Sequence, residues 1–150
     1  MLKSNLRQII RKQERRRKDI PGAFARGAER TMREARQIAR EASGAHLYNP
    51  RTFKGRARPY SRRMAGAHFP PYLINRQGGG FQAGWKVSIR RGKGETTATL
   101  YNDSKVAPFM TARGTRSMIG RPIREYVAGQ TKGKPLRYTR EELHKAMRGS

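Results

Sequence analysis

Histidines and carboxylates are the first residues to inspect for chemistry, because they build metal sites and acid–base pairs. The three histidines, His46, His68 and His144, stand apart from one another in the sequence. Only His144 has a carboxylate, Glu141, at helical spacing, and one such pair is expected by chance on a charged helix. We therefore interpret all three as surface residues, and the sequence predicts no metal site.

The acidic residues and glycine clusters give no better case for catalysis. Ten dispersed carboxylates form no obvious pair or divalent-ion cluster, which a nuclease normally requires. Gly92, Lys93 and Gly94 are not followed by the Ser or Thr and the helix of a phosphate loop, and glycines 78–80 lack the context of a dinucleotide fingerprint. With no cysteine there is no disulfide or thiolate ligand. We predict a protein that is not an enzyme and that has no cofactor.

The charge is the strongest signal in the composition. The 150 residues carry 35 Lys and Arg against 10 Asp and Glu, a formal charge of +25. Repulsion on this scale opposes compactness unless a polyanion supplies counter-charge, and nucleic-acid phosphates do so with release of counterions. A membrane surface would also serve, but no apolar run approaches the roughly 20 residues of a spanning helix. We expect nucleic acid, most simply DNA, and no membrane partner.

We interpret the chain as a single domain, residues 1–150. Two helices are predicted in its first 42 residues. Residues 4–18 form an N-terminal basic helix (within 1–19) that ends in a run of four cations. Residues 20–42 form a core helix, in which apolar side chains recur every three or four residues from Ile20 to Ala42. The break between them is placed at Asp19, which can cap a helix, and Pro21, which suits a first turn.

Residues 45–80 predict an extended arm or loop. This segment has four prolines, no acidic residue and aromatics interleaved with cations, and glycines 78–80 resemble a hinge at its end. Its composition suits stacking on single-stranded nucleic acid. It equally suits an arm that buries its aromatics between neighbouring subunits, which we favour. The cations predicted to face nucleic acid are Arg15, Arg16, Arg17, Lys18, Arg51, Lys54, Arg56, Arg58, Arg62 and Arg63; the aromatics predicted at a subunit interface are Tyr48, Phe53, Tyr60, Phe69 and Tyr72.

The second half of the chain predicts a small sheet. Alternation from Ala83 to Ile89, a glycine-containing turn and alternation from Thr96 to Leu100 indicate a β-hairpin. Because an isolated hairpin is marginal, we expect it to lie on the core helix and to gain further strands. A short third strand or a turn of helix is expected at 106–112, and another short piece at 123–128. A capping box at Thr139 predicts the start of a short last helix. No base-reading motif is present, so phosphate contact is the expected mode of binding.

Several short motifs after the arm occur in a characteristic order. They are Gly84-Trp85-Lys86-Val87-Ser88-Ile89, Leu100-Tyr101-Asn102, Val106-Ala107-Pro108-Phe109-Met110, Gly114-Thr115, Met118 and Arg121-Pro122-Ile123. In this order and spacing the chain resembles the tail-completion or tail-component proteins of tailed bacteriophages. The earlier Ile20-Pro21-Gly22-Ala23 and the arginine content resemble the minor tail protein Z branch of that family.

The resemblance implies an α+β fold, with a long helix packed on a small antiparallel sheet, and a structural role in the virion. The protein would form a homo-oligomeric ring at the neck or head-proximal tail, assembled in the host cytoplasm. Its partners would be tail terminator, head-closure or adaptor proteins and the genomic DNA in the lumen. Phe109, Met110, Met118 and Ile123 would lie at a subunit interface, or else cover the chain's own hairpin. The alternative function is a stand-alone, sequence-nonspecific nucleic-acid-binding protein of the ribosome-associated or nucleoid type.

Overall fold

The structure, a computed structural model, describes residues 2–46, 70–76, 79–92, 95–114 and 120–148. In chain order its elements are α1 (Leu2–Ser43), α2 (Gly80–Ala83), β1 (Trp85–Arg91), β2 (Thr96–Asn102), a π-helical turn (Phe109–Arg113), α3 (Ile123–Thr131) and α4 (Lys134–Arg148). Within these described ranges the sheet consists of β1 and β2. The predicted α+β class, with a long helix and a small antiparallel sheet, is confirmed.

The predicted break between two N-terminal helices was wrong, because α1 runs without interruption from Leu2 to Ser43 and contains Pro21. A proline inside a helix removes one backbone donor and costs about 3 kcal/mol or more. The flanking residues are rich in Arg, Lys, Glu, Gln and Ala, which are strong helix formers. Their summed propensity offsets the loss at one position, so the helix continues.

Contacts divide the chain into two compact units, to each of which α1 and the hairpin contribute residues. The first, here the α4 unit, comprises Met1–Arg33, Ser88–Thr99 and Thr131–Ser150. The second, the Trp85 unit, comprises Glu34–Val87 and Leu100–Gln130.

The Trp85 unit is held by an apolar cluster on the last turns of α1. Alanines of the helix allow close approach, and Trp85, only 3% exposed, packs there with residues of α3; the cluster is Ala35, Ala39, Ala42, Ile74, Trp85, Ile123 and Val127. Trp85 Nε1 donates a hydrogen bond of 2.9 Å to Ser43 Oγ, and Arg36 Nε donates one of 2.8 Å to the Trp85 carbonyl. These two bonds fix the start of β1 on α1 and satisfy the indole N–H.

The end of the predicted arm packs against the end of α1. Ile74 N donates to the Ala42 carbonyl at 2.7 Å, and Ala45 forms an isolated parallel bridge with Asn75. The π-helical turn lies where a short third strand or a turn of helix was expected, and α3 begins where another short piece was expected. In the described part of the chain the hairpin gains no third strand. Helices and one short extended segment cover the hairpin instead.

The α4 unit depends on a close contact between α1 and α4. A Cβ on Gly27 would lie 2.5 Å from Thr139 Oγ1 and 2.8 Å from Thr139 Cα, so only glycine fits there. The predicted capping box at Thr139 was wrong, since α4 begins at Lys134, with Pro135 in its first turn and Gly133 at φ 77° before it. Proline in a first turn is a strong start signal, and it takes precedence over the later Thr-x-x-Glu pattern.

Candidate nucleic-acid interface

The first half of α1 carries several solvent-exposed cations. Arg15, Arg17 and Lys18, all predicted to face nucleic acid, are solvent-exposed on this helix. Arg16 also belongs to α1, although its side chain is outside what the structure describes. The predicted cations of the arm lie outside the described residues as well; they are Arg51, Lys54, Arg56, Arg58, Arg62 and Arg63.

Four cations form one row along this part of α1, here called the cationic stripe: Arg7, Arg11, Arg15 and Lys18. Their spacings of four, four and three residues are close to one helical turn, so the side chains share a face. All four are exposed. Sequence reasoning had selected the run 15–18 and missed Arg7 and Arg11; the repeated four-residue interval was the signal that identifies them.

Among the side chains that the structure describes, no carboxylate forms an ion pair with the stripe. Glu14 and Asp19 are the acidic residues of this segment, and among the described side chains neither lies within 4 Å of a cation. Exposed guanidinium and ammonium groups in a row are ready to contact phosphate oxygens. This arrangement supplies affinity for a polyanion without any means of reading bases.

The next turns of α1 differ, because their arginines are paired with α4. Arg26 Nε lies 3.0 Å from Glu142 Oε2, and Arg30 Nη1 lies 2.6 Å from Glu141 Oε2. The Arg30 guanidinium also stacks over the buried ring of Tyr138, 4.1 Å from its centroid. Hydrogen bonds from Lys145 and Arg26 lower the pKa of the Glu142 carboxyl. These arginines hold two helices together and are less available to an external anion.

A further paired cation lies in the hairpin. Lys86 forms an ion pair with Asp103, and hydrogen bonding to that carboxylate raises the pKa of the Lys86 ammonium group. Lys86 therefore stays charged and occupied within the Trp85 unit.

The residues predicted to form a subunit interface have divergent environments. Tyr72 stacks on Tyr126 of the same chain, with ring centroids 3.8 Å apart and planes 3° from parallel. Ile123 is fully buried and Met110 packs against the same core, which is the alternative that the sequence left open. Phe109 is 51% exposed. Tyr48, Phe53, Tyr60, Phe69 and Met118 lie outside the described residues.

The motif residues after the arm have clear structural roles. Asn102 Nδ2 donates to the Phe81 carbonyl at 2.8 Å, while its Oδ1 accepts from Ser104 N at 3.0 Å. A Cβ on Gly84 would lie 2.6 Å from Asn102 Oδ1, so the glycine gives the amide its room. Gly114 has φ 64° and ψ −162°, a conformation that favours glycine. The strand-end asparagine thus closes the hairpin onto α2.

Within the described ranges, no three His, Asp or Glu side chains are grouped so that they could hold a metal ion. None of the helices there is both long and apolar enough to cross a bilayer.

No family model matches this chain, and neither does any curated protein or solved structure.

Proposed function

We propose that this chain is a structural virion protein of a tailed phage, a tail-completion or neck component that forms a ring at the head–tail junction and faces DNA. The observation that carries the proposal is the cationic stripe of α1, which is exposed and unpaired among the described side chains. A conduit for a genome needs a surface that contacts phosphates without reading sequence.

Three further features support this proposal over other basic proteins. The fold is the α+β arrangement that the resemblance to tail-completion proteins implies. The order of motifs from Gly84 to Ile123 is the basis of that resemblance. Asn102, the asparagine at the end of the second strand, makes hydrogen bonds that fix the hairpin.

The DNA-facing role is tested by the salt dependence of duplex DNA binding. Changing Arg7→Gln, Arg11→Gln and Arg15→Gln together should reduce the slope of log K against log salt by about 2 to 3, since each phosphate contact contributes about 0.9. Fluorescence anisotropy with two duplexes of unrelated sequence measures the slope and checks that affinity is independent of sequence.

The matched control removes the same charge from the same helix, as Arg26→Gln, Arg30→Gln and Arg33→Gln. Because Arg26 and Arg30 pair with Glu142 and Glu141, and Arg33 with Glu29, the slope should change by less than about 1. Equal slope changes in the two variants would contradict a DNA face on the stripe.

Electron microscopy of virions tests the location, with density for this chain expected in a ring at the head–tail junction. Recovery only as a monomer or dimer on free nucleic acid would instead support the stand-alone nonspecific binding protein.

A further inference from the structure

The first half of α1 has a second exposed face, made of large apolar side chains. Leu6, Ile9, Ile10, Ile20 and Phe24 are between 44% and 59% exposed, and we call this set the apolar track. Ile9 and Ile10 follow Leu6 by three and four residues, Ile20 follows it by fourteen, and Phe24 follows Ile20 by four, which places them on the side of the helix opposite the cationic stripe. Exposed apolar groups that are scattered singly need no explanation, but an aligned row marks an interaction surface.

The apolar track ends in a groove of the same unit. The groove has a volume of about 630 Å³ and is lined by Ile20 and Phe24 of α1, the first turns of α4 and four hairpin residues, Arg91, Gly92, Glu95 and Thr96. Leu136 of α4 lines it too and is 81% exposed. The track therefore leads into the groove within the α4 unit, with Gln13 and Arg17 between its two apolar parts.

The surroundings of the track indicate the charge of its occupant. Residues 6–20 contain seven basic and two acidic residues. None of those whose side chains the structure describes forms an ion pair. An occupant with acidic flanks would gain Coulomb attraction on both sides of its apolar contact. Charge complementarity thus favours an acidic, amphipathic binding partner.

Other occupants fit less well. A second copy would bring like charges together, since α1 is basic in residues 6–20 and α4 carries five basic and two acidic residues. Nucleic acid has phosphates that apolar side chains cannot bind. A membrane surface would require an unbroken apolar face, and Gln13 and Arg17 fall within the row between Ile10 and Ile20.

We propose that the apolar track and its groove bind an amphipathic α-helix with acidic flanks, supplied by a partner protein. In this helix-in-groove mode, apolar side chains at positions i, i+3 and i+4 of the partner helix would contact Leu6, Ile10 and the groove. The inference uses the face opposite the cationic stripe and holds whether or not that stripe binds DNA.

Three synthetic peptides of about 20 residues, or about 30 Å of helix, test the proposal. They are a peptide with one Leu/Ile face and Glu on the other, the same peptide with Lys in place of Glu, and a scrambled Glu peptide without an apolar face. Fluorescence anisotropy should show saturable binding of the Glu amphipathic peptide. The other two should bind at least about tenfold more weakly.

Variants then locate the site. Leu6→Ser with Ile10→Ser should weaken binding of the Glu amphipathic peptide by at least about tenfold. The control Val106→Ser, which removes an apolar side chain that is 48% exposed in the Trp85 unit, should leave binding within about twofold. The salt slope of DNA binding should be unchanged in both variants, which separates failure of this inference from failure of the proposed function.

Equal binding of the scrambled or Lys peptide, or unchanged peptide affinity in the Leu6/Ile10 variant, would overturn the inference. Self-association of the wild type in sedimentation that this variant abolishes would also overturn it. So would binding of the wild type to phosphatidylglycerol vesicles that the variant loses, if neither protein binds peptide.

Discussion

Helix α1 takes part in both compact units, and the two units are held by different kinds of contact. In the Trp85 unit, alanines of α1 pack against an indole and aliphatic side chains, with Trp85 only 3% exposed. In the α4 unit, Gly27 brings the helices together, and Arg26 and Arg30 pair with glutamates at its border. One helix thus forms an apolar contact that tolerates salt and acid and a polar one that responds to both.

The largest expected effect comes from removing the centre of the Trp85 unit. Trp85→Ala should destabilise that unit by about 3–5 kcal/mol, because the buried indole is lost and a cavity remains in its place. Hydrogen exchange of the amides in 35–42 measures the change, and Val106→Ala, an exposed position, is the control. The two-unit division predicts a smaller change in α4; equal acceleration there would mean that the units open together.

An intermediate effect is expected from Gly27→Ala in the α4 unit. The added Cβ would collide with Thr139 backbone and side chain, and overpacking of this kind typically costs about 1–3 kcal/mol. The matched control is Gly129→Ala on α3, where nothing lies within 4 Å and alanine should stabilise by about 0.5–1 kcal/mol. Thermal unfolding and hydrogen exchange of the α4 amides would be measured for both variants. If Gly27→Ala stabilised the protein, the close contact between α1 and α4 would be refuted.

The smallest effect concerns the pH dependence of the ion pairs. The pKa of Glu142 is lowered in the folded state, so its contribution is complete above the ordinary glutamate pKa of about 4.3 and is lost as pH falls through the lowered value. Exposed pairs contribute below about 1 kcal/mol. Glu142→Gln should therefore make the loss of amide protection in α4 between about pH 5 and 3 less steep. High salt screens the ion pair, so it should also make this loss less steep in the wild type. An acid response that Glu142→Gln leaves unchanged would assign it to other carboxylates.

The elements with strong local patterns could be predicted from the sequence. The alternation around Trp85 and Leu100 predicted the hairpin, and the alanines at 35, 39 and 42 predicted the buried face of α1; the structure confirms both. The predicted helix boundaries were wrong where two local signals competed. Pro21 looked like a start but lies inside α1, and Thr139 looked like a cap but lies inside α4, against Gly27.

The site was predictable only in part, because pairing depends on tertiary contacts. The basic composition identified the helix, but the sequence gives no sign that Arg26 and Arg30 are neutralised by glutamates more than 100 positions away. It also gives no sign that Ile20 and Phe24 stay exposed while Ala35 and Ala39, on the same face, are buried. Those differences depend on where α3, α4 and the hairpin pack.

If the cationic stripe faces DNA as proposed, its spacing determines how firmly a moving duplex would be held. From Arg7 to Lys18 the helix rises about 16 Å, a length over which a duplex carries about ten phosphate charges. The four cations of the stripe would leave most of the duplex charge to mobile counterions, so contacts would break and re-form at low cost as the duplex advances. In the proposed conduit, a sparse row of this kind would resist translocation of the duplex only weakly.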